Sequence, residues 1–400
     1  MLKYVRYLLM TGVILTTIAG IAMGGIGLWL GFVLTLILVV GGDAVTGSDL
    51  TEPDYRKGWV LDFLLYLTLP LLLVLLAIFA WMLGAAGTDW LGMGAAVHSL
   101  TGWDMQAARA ATNGWHILGG VLSTGLMVAL GGTNVGHELT HRTWDKSAMI
   151  FGRWMLAMSA DASFAIEHVY GHHLHVATYH DPATGRRGEN TYAFIVRSTI
   201  YSYLSAWNIE KSRLAKRGLS VWSWQNRMHR GNLMTLTFCV VFYLAAGWVG
   251  LALYVAAALW AKSLLEFVNF MEHYGIVRIP GTKVEPRHSW NANQRISGYV
   301  LYNLTRHSHH HAEADVPFFK TRAFPDAPMM HFGYLTMIIV TMFPNVYRKM
   351  MVAKLKDWDE RFASPDERAL AMQANANSGM PELMQASSSS TLSPSSATGQ

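Results

Sequence analysis

Six long apolar runs occupy the first two thirds of the chain and set the main limit on its fold. They are roughly Tyr7–Met23, Ile26–Val40, Trp59–Leu83, Trp115–Leu130, Leu233–Val249 and Leu251–Phe267. A helix rises about 1.5 Å per residue, so about 20 apolar residues cross a bilayer, and tilting or extension accommodates the shorter runs. Only Gly24 and Gly25 separate the first two runs, which predicts a tight helical hairpin. The runs therefore predict an all-α membrane protein with six transmembrane helices.

The composition agrees with a membrane protein and narrows the chemistry. Of the 400 residues, 52% are hydrophobic and only 14% are charged, whereas soluble domains carry about 25% charged residues. The net charge of +5 comes without a dense basic stripe, so nucleic acid is not an expected partner. Cys239 is the only cysteine, which excludes a cysteine-held zinc site and an iron–sulfur cluster. Any metal must therefore be held by His, Asp or Glu.

Lysine and arginine are unevenly divided among the segments between the runs. Residues 131–232 carry twelve, whereas the loop 84–114 carries only Arg109. Because basic residues favour the cytoplasmic side of a membrane, six spans place both termini and residues 131–232 in the cytoplasm. The expected architecture is one domain over residues 1–373, with a large helical cytoplasmic cap. The Ser-rich residues 374–400 predict a disordered tail, either a plain terminus or a linker.

Histidine is concentrated in four clusters that all fall in the predicted cap. These are GHELTHR with His137 and His141, EHVYGHH with His168, His172 and His173, NFMEHYG with His273, and LTRHSHHHA with His307, His310 and His311. Residues three or four apart share a helix face, whereas adjacent residues such as His172 and His173 point about 100° apart. Three or four imidazoles satisfy one metal ion. The clusters therefore predict a dinuclear metal site just outside the bilayer, the alternative being unrelated surface histidines.

Other polar residues in the clusters are expected beside the metal ligands. His175, His180 and His309 lie off the shared faces, where roles next to the ligands or on the surface are expected. Four carboxylates accompany the histidines: Glu138, Glu167, Asp181 and Glu272. A carboxylate that accepts the second ring N–H of a ligand fixes its tautomer and offsets the metal charge. The alternative is salt bridging with the nearby arginines Arg142, Arg186, Arg187 and Arg306.

The histidine motifs resemble those of the integral-membrane non-haem diiron enzymes, which include desaturases, hydroxylases and alkane monooxygenases. HELTHR, EHVYGHHLHVAT, DPAT, NFMEHYG and LTRHSHHHA together look like the bacterial alkane 1-monooxygenases. The resemblance runs from the first hairpin to about Arg348, and it implies as ligands the same nine histidines named above. Two positions differ, with Thr305 where the family often has Gln and His309 where another residue is usual.

The resemblance implies a reaction and its partners. Two iron ions would use O2 to hydroxylate the terminal methyl of a medium-chain alkane, drawn from the bilayer, to a primary alcohol. Electrons would come from a rubredoxin, and the location would be the bacterial inner membrane, with the active site on the cytoplasmic side. The Ser-rich tail would suit a tether to that rubredoxin.

Two further sets of residues are assigned roles in this reaction. Basic cap residues are expected to steer the acidic donor, unless they only follow the cytoplasmic bias: Arg186, Arg187, Lys211, Lys216, Arg217 and Arg230. Apolar residues of the first three spans are expected to wall a substrate channel, unless they face lipid; examples are Trp29, Phe32 and Phe63.

Three other functions remain open at this level. One is a membrane desaturase or hydroxylase of another apolar substrate, such as an alkyl-aromatic or a fatty acyl chain. Another is a membrane zinc protease that uses HELTH with Glu138 as general base. A metal transporter is the third, but its ligands would lie near the bilayer midplane, whereas these clusters lie outside the apolar runs.

Overall fold

The computed structural model describes residues 2–384, and all regular structure within that range is helical. The only β contacts in the range are isolated bridges, Ser48 with Gln294 and Asn291 with Met329. This confirms the predicted all-α class.

The first seven helices are α1 (Leu8–Met23), α2 (Gly25–Thr46), α3 (Gly58–Met82), α4 (Met93–Thr101), α5 (Met105–Ala110), α6 (Gly114–His141) and α7 (Lys146–Met158). Helix α8 consists of the successive turns Phe164–Glu167, His168–His172 and His173–His175. The remaining helices are α9 (Thr191–Ala215), α10 (Arg227–His273), α11 (Arg295–Val300), α12 (His307–Ala312), α13 (Tyr334–Thr341), α14 (Pro344–Arg361) and α15 (Pro365–Ala376). Shorter turns lie at Leu2–Val5, Trp90–Gly92, Pro286–His288 and Phe318–Lys320.

Four helices of the described chain are long and apolar enough to cross a membrane, namely α2, α3, α6 and α10. Helix α1 is also apolar but has only 16 residues. Helix α10 has 47 residues, yet its backbone is non-helical at Ala246 and at Gly247, where φ is +62°. The predicted fifth and sixth runs are therefore the two halves of α10, and the junction lies before the expected one at Gly250.

The first two apolar runs form the tight hairpin that the sequence predicts. Gly24 turns the chain with φ +68°, a conformation that favours glycine. A Cβ atom on Gly20 would lie 2.5 Å from the carbonyl oxygen of Gly27, so the two helices touch at their backbones.

Helix α6 runs without interruption from the apolar segment into the first histidine cluster. A π-helical turn at Val128–Thr133 lies just before His137 and His141. Helix α7 crosses α6 so closely that a Cβ atom on Gly136 would lie 2.9 Å from the carbonyl oxygen of Gly152. This crossing fixes the end of α6 that carries the two histidines.

The C-terminal part of the described chain packs against the cap. Helix α15 continues to Ala376, and Met380 and Leu383 are buried. The disordered tail expected from residue 374 is therefore wrong for residues 374–384, because these apolar side chains are buried. Residues 385–400 lie outside the described residues, and there the disordered tail stays a prediction.

Glu367 connects α15 to the turn at Pro286–His288. Its Oε1 lies 2.7 Å from His288 Nε2, and its Oε2 accepts from Arg287 Nε at 3.1 Å. Burial opposes the charged carboxylate, but the His288 hydrogen bond and the nearby cations outweigh it and lower the pKa of Glu367 to about 2 from its ordinary 4.5. The carboxylate therefore stabilises the fold above about pH 4.5, and this contribution is lost as the pH falls towards 2.

We expect Glu367→Gln to lower the midpoint of thermal unfolding at pH 7 and to reduce the fall in that midpoint between pH 5 and pH 3. The amide cannot ionise, so it removes one group whose protonation favours unfolding. Circular dichroism of the purified protein measures both effects. Glu360→Gln is the matched control, because Glu360 is exposed. An unchanged midpoint at pH 7 for the Glu367 variant would contradict the analysis.

Candidate metal centre

The nine histidines selected from the sequence come together at one place in the structure. Two lie at the end of α6, three on α8, one at the end of α10 and three on α12. Eight of the nine are buried and His173 is partly exposed. Residues far apart in sequence, such as His137 and His310, are neighbours because four helix ends converge.

The Nε2 atoms of the histidines form two adjoining groups. In the first group His137 Nε2 lies 3.0 Å from His310 Nε2 and 3.1 Å from His141 Nε2, and His168 and His173 complete it. The ligand atoms of these five histidines lie within 4.8 Å of one another, as do those of His172, His273 and His311 and those of Glu272, His273 and His307. The second region combines His172, His273 and His311 with His307, whose Nε2 lies 3.2 Å from that of His273.

Adjacent histidines in the sequence belong to different groups. His173 belongs to the first group and His172 to the second, as their angular separation on a helix predicts. His310 and His311 divide in the same way. A π-helical turn at His168–His172 widens α8 at this point, and such turns are frequent at functional sites.

Burial favours the neutral form of the histidines, and His172, which contacts Asp181, is the exception. Burial, followed by repulsion from neighbouring imidazoles, places the pKa of His168, His173 and His310 well below the ordinary value of 6.5. Burial has the same effect on the pKa of His307 and His311. Neutral imidazoles are the form that binds metal.

The donor arrangement fits metal ions between the Nε2 atoms. His172 Nδ1 lies 2.9 Å from Asp181 Oδ2, which leaves His172 Nε2 with its lone pair towards His311. Converging lone pairs repel unless a cation lies between them. Five histidines on one side and four on the other suit two such cations.

Two of the predicted carboxylates lie at the histidines. Asp181 bonds His172 as described, and the negative charge outweighs the effect of burial and raises the pKa of His172. Glu272 Oε2 lies 3.2 Å from His307 Nε2, and its Oε1 accepts from the Tyr334 hydroxyl at 2.8 Å. Glu272 thus faces the metal-binding nitrogen of His307, so it is itself within the candidate ligand group and not behind it.

The other two carboxylates have different surroundings. Glu138 pairs with Arg142 at 3.1 Å and accepts a hydrogen bond from the Phe318 amide. Glu138 therefore forms the alternative salt bridge and not the predicted contact with a histidine. Glu167 is buried, and its Oε1 has no hydrogen-bond partner within the described chain. Burial, with the charge of Asp181, raises the pKa of Glu167 to about 8.

The remaining histidines of the clusters stay outside both groups. His309 Nδ1 accepts from the Arg322 amide at 3.3 Å, and its ring packs against Phe324. The rings of His175 and His180 lie near each other, 6.0 Å between centres. The unusual histidine at position 309 therefore does not compete for the site.

Several residues assigned to docking or to a channel lie elsewhere than expected. Arg187 is buried and donates to Asp359 at 2.7 Å, so it cannot steer a partner. Arg230 is only partly exposed, whereas four residues are exposed as expected: Arg186, Lys211, Lys216 and Arg217. Phe63 is 57% exposed on the outer surface. Trp29 packs against Phe32 and Trp115, and neither Trp29 nor Phe32 lines the apolar cavity at the histidines.

An apolar cavity that the sequence did not reveal leads to the histidines. Helices α6, α10 and α13 and the turn after α11 supply its walls, among them Leu126, Ala129, Leu264, Leu301 and Ile338. His137, His168, His307 and Glu272 also line it. Ala129 lies two turns before His137 on the same helix, and this spacing could have predicted its place in the cavity wall. The contributions of Leu301 and Ile338 depend on distant packing.

Comparison with known proteins agrees with this site. The profile of the fatty acid desaturase family matches residues 113–340. Alkane 1-monooxygenase of Ectopseudomonas oleovorans is 33% identical over 82% of this chain and 77% of its own length. Alkane 1-monooxygenase 1 of Pseudomonas aeruginosa is 37% identical, over 60% of this chain and 64% of its own length. The xylene/toluene monooxygenase hydroxylase component of Pseudomonas putida is 32% identical over 66% of this chain and 72% of its own length.

These matches define the class of the protein as a membrane oxidoreductase of the desaturase type. The chain belongs to the fatty acid desaturase family, with alkane 1-monooxygenases among its relatives, as the histidine motifs predicted.

We expect Asp181→Asn to weaken metal binding by roughly 10- to 100-fold, the usual cost of losing a hydrogen-bond partner of a ligating histidine. The amide can present an N–H to His172 Nδ1 and so favours the wrong tautomer. Competition with a chelator, followed by metal analysis, measures the change. Asp357→Asn is the control, since Asp357 pairs with Arg361 at the surface. Equal metal retention by both variants would show that Asp181 does not hold His172.

Proposed function

We propose that this protein hydroxylates the terminal methyl of medium-chain alkanes with a histidine-bound pair of iron ions. The observation that carries the proposal is the apolar cavity that ends at His137, His168 and His307. An alkane has no polar group, so its binding must come from burial of methylenes at about 0.8 kcal/mol each. An apolar cavity beside a metal centre suits such a substrate.

When bound, the two irons would supply the chemistry that reduces O2 with two electrons and two protons, so that one oxygen atom enters the C–H bond and the other leaves as water. The nine histidines would hold them. Five would serve one iron and four the other, with Glu272 beside the second. Leu301, Ala129 and their neighbours would orient the chain end towards the site and exclude water from it. Asp181 would keep the proton on His172 Nδ1.

The structure also supports a proposed membrane arrangement. Counting α1, α2, α3, α6 and both halves of α10 gives six crossings, which would place the histidines on the side that carries residues 131–232. The twelve basic residues of that segment favour the cytoplasm. The active site and both termini would then face the cytoplasm of a bacterial inner membrane.

Electrons are proposed to arrive from a rubredoxin on the cap. His173 is the one partly exposed member of the nine histidines, so it marks the side nearest to solvent. Of the residues expected to steer the donor, the four that are exposed keep this role: Arg186, Lys211, Lys216 and Arg217. The tether to this rubredoxin through the C-terminal tail stays a proposal, since residues 385–400 lie outside the described residues.

Hydroxylation of an alkyl-aromatic is the second candidate, because one relative is a xylene/toluene monooxygenase component. The protease alternative is disfavoured, since Glu138 is held by Arg142 and does not approach the two histidines of HELTH.

The test is turnover by the full-length protein in nanodiscs, loaded with iron without oxygen and supplied with a rubredoxin and its reductase. We expect the wild type to bind about two irons per chain and to convert octane to 1-octanol. We expect His310→Ala to lose both the bound iron and the 1-octanol product. His98→Ala, which alters an exposed histidine, is the control. An alkene product would indicate a desaturase, turnover of xylene but not octane would favour the second candidate, and zinc without iron would overturn the proposal.

The cavity makes a separate prediction about chain length. Ala129 lies eight residues before His137 on α6, so it lines the cavity about 12 Å from the site. We expect Ala129→Phe to reduce turnover of long alkanes at least tenfold relative to short ones, because the ring blocks the far part of the cavity. Leu118→Phe, at an exposed position of α6, controls for added volume. An equal loss for all chain lengths would contradict this placement of the substrate.

A further inference from the structure

A second cluster of charged residues lies where α7 and α9 meet the beginning of α10. Arg153 on α7 is 7% exposed, and its Nη2 donates to the carbonyl oxygen of Arg227 at 2.6 Å. Arg230 lies three residues after Arg227 and so shares its helix face. Burial, together with the charges of Arg230 and Arg227, lowers the pKa of Arg153 to about 10. Positive charge is therefore crowded at this point.

A single carboxylate serves the whole cluster. Glu210 on α9 pairs with Arg213 at 2.6 Å and with Arg227 at 2.8 Å, which uses both of its oxygens. Within residues 2–384, neither Arg153 nor Arg230 forms an ion pair, and the Nε of each is buried without a hydrogen-bond partner. Buried donors of a charged group are rarely left unsatisfied. The four guanidinium groups and one carboxylate of this cluster leave an excess of positive charge that calls for an anion.

The location of the cluster indicates the kind of anion. Arg227 is the first residue of the long apolar helix α10, so the cluster lies at the end of a candidate membrane span. Exposed aromatic residues occur on α8 and in the segment that leads into α10. Tyr170 lies under the Arg227 guanidinium at 5.2 Å, and Trp222 and Trp224 are 75% and 65% exposed. Exposed tryptophan and tyrosine mark the level of lipid headgroups.

We propose that Arg153, Arg227 and Arg230 bind the phosphate of an anionic membrane lipid. Guanidinium groups recognise phosphate oxygens in pairs of parallel hydrogen bonds. Arg227 and Arg230 are partly exposed, and Arg153 lies buried beside Arg227. Basic pockets between helices at the membrane surface are a known mode of headgroup binding. None of the nine histidines belongs to this cluster, so the proposal does not depend on the proposed reaction.

The test titrates the full-length protein with phosphatidylglycerol in mixed micelles and measures the shift in the midpoint of thermal unfolding. We expect phosphatidylglycerol to raise the midpoint of the wild type and phosphatidylcholine to have little effect. Arg230→Gln should weaken the apparent affinity for phosphatidylglycerol about fivefold, as expected for one surface arginine. Arg153→Gln, at the buried position, should weaken it at least as much.

Arg361→Gln is the matched control, because it removes the same charge from an exposed residue of the cap. If the buried Arg153 variant fails to fold, Arg230→Gln alone decides the question. Equal lipid affinity in Arg230→Gln and Arg361→Gln would overturn the proposal. A further titration uses inorganic phosphate at millimolar concentration in place of the lipid. If it alone reproduced the whole stabilisation, the source would be free phosphate and the lipid assignment would be wrong.

Discussion

The structure around the metal centre depends on keeping many imidazoles neutral while they are buried against one another. A protonated imidazole in this place would lose its hydration and repel its neighbours, and both effects lower the pKa. Neutral rings with converging lone pairs also repel, though less, unless cations lie between them. Asp181 settles the tautomer of His172 by direct contact. The Nδ1 atoms of His273, His307 and His311 are buried without partners in the described chain, so the packing of the rings must orient them.

Bringing four segments to one place requires firm control of helix ends. The close crossing of α6 and α7 fixes one pair of histidines, and buried arginines hold two of the other segments. Arg278 donates to the carbonyl oxygens of Leu174 and Val176, directly after the α8 histidines. Arg187 donates to the carbonyl oxygen of Gly275, two residues after His273. Charged donors thus fix the backbone beside the ligands without contacting the metal-binding nitrogens.

The histidines could be predicted from the sequence because their spacing is local and repeats at four clusters. The helix spacing even separated His172 from His173 correctly. Features set by distant packing could not be predicted. The cavity walls come from helices far apart in the sequence, and Trp29, Phe32 and Phe63 are not among its lining residues. Glu138 and Glu272 occupy the same kind of position beside a histidine, but only the three-dimensional arrangement shows that one faces Arg142 and the other faces His307.

The basic residues of the cap show why charge counts are an incomplete guide to partners. The positive charge of residues 131–232 predicts that six of their basic residues help to dock the electron donor. In the structure Arg187 pairs with Asp359 inside the cap, and Arg230 belongs to the cluster with Arg153. Charge that is buried against backbone or beside lipid contributes little to the field felt by a protein in solution, because only exposed charges steer an approaching partner. The surface left for an acidic donor is therefore smaller than the sequence indicates, and the exposed residues of α9 and its following turn carry most of it.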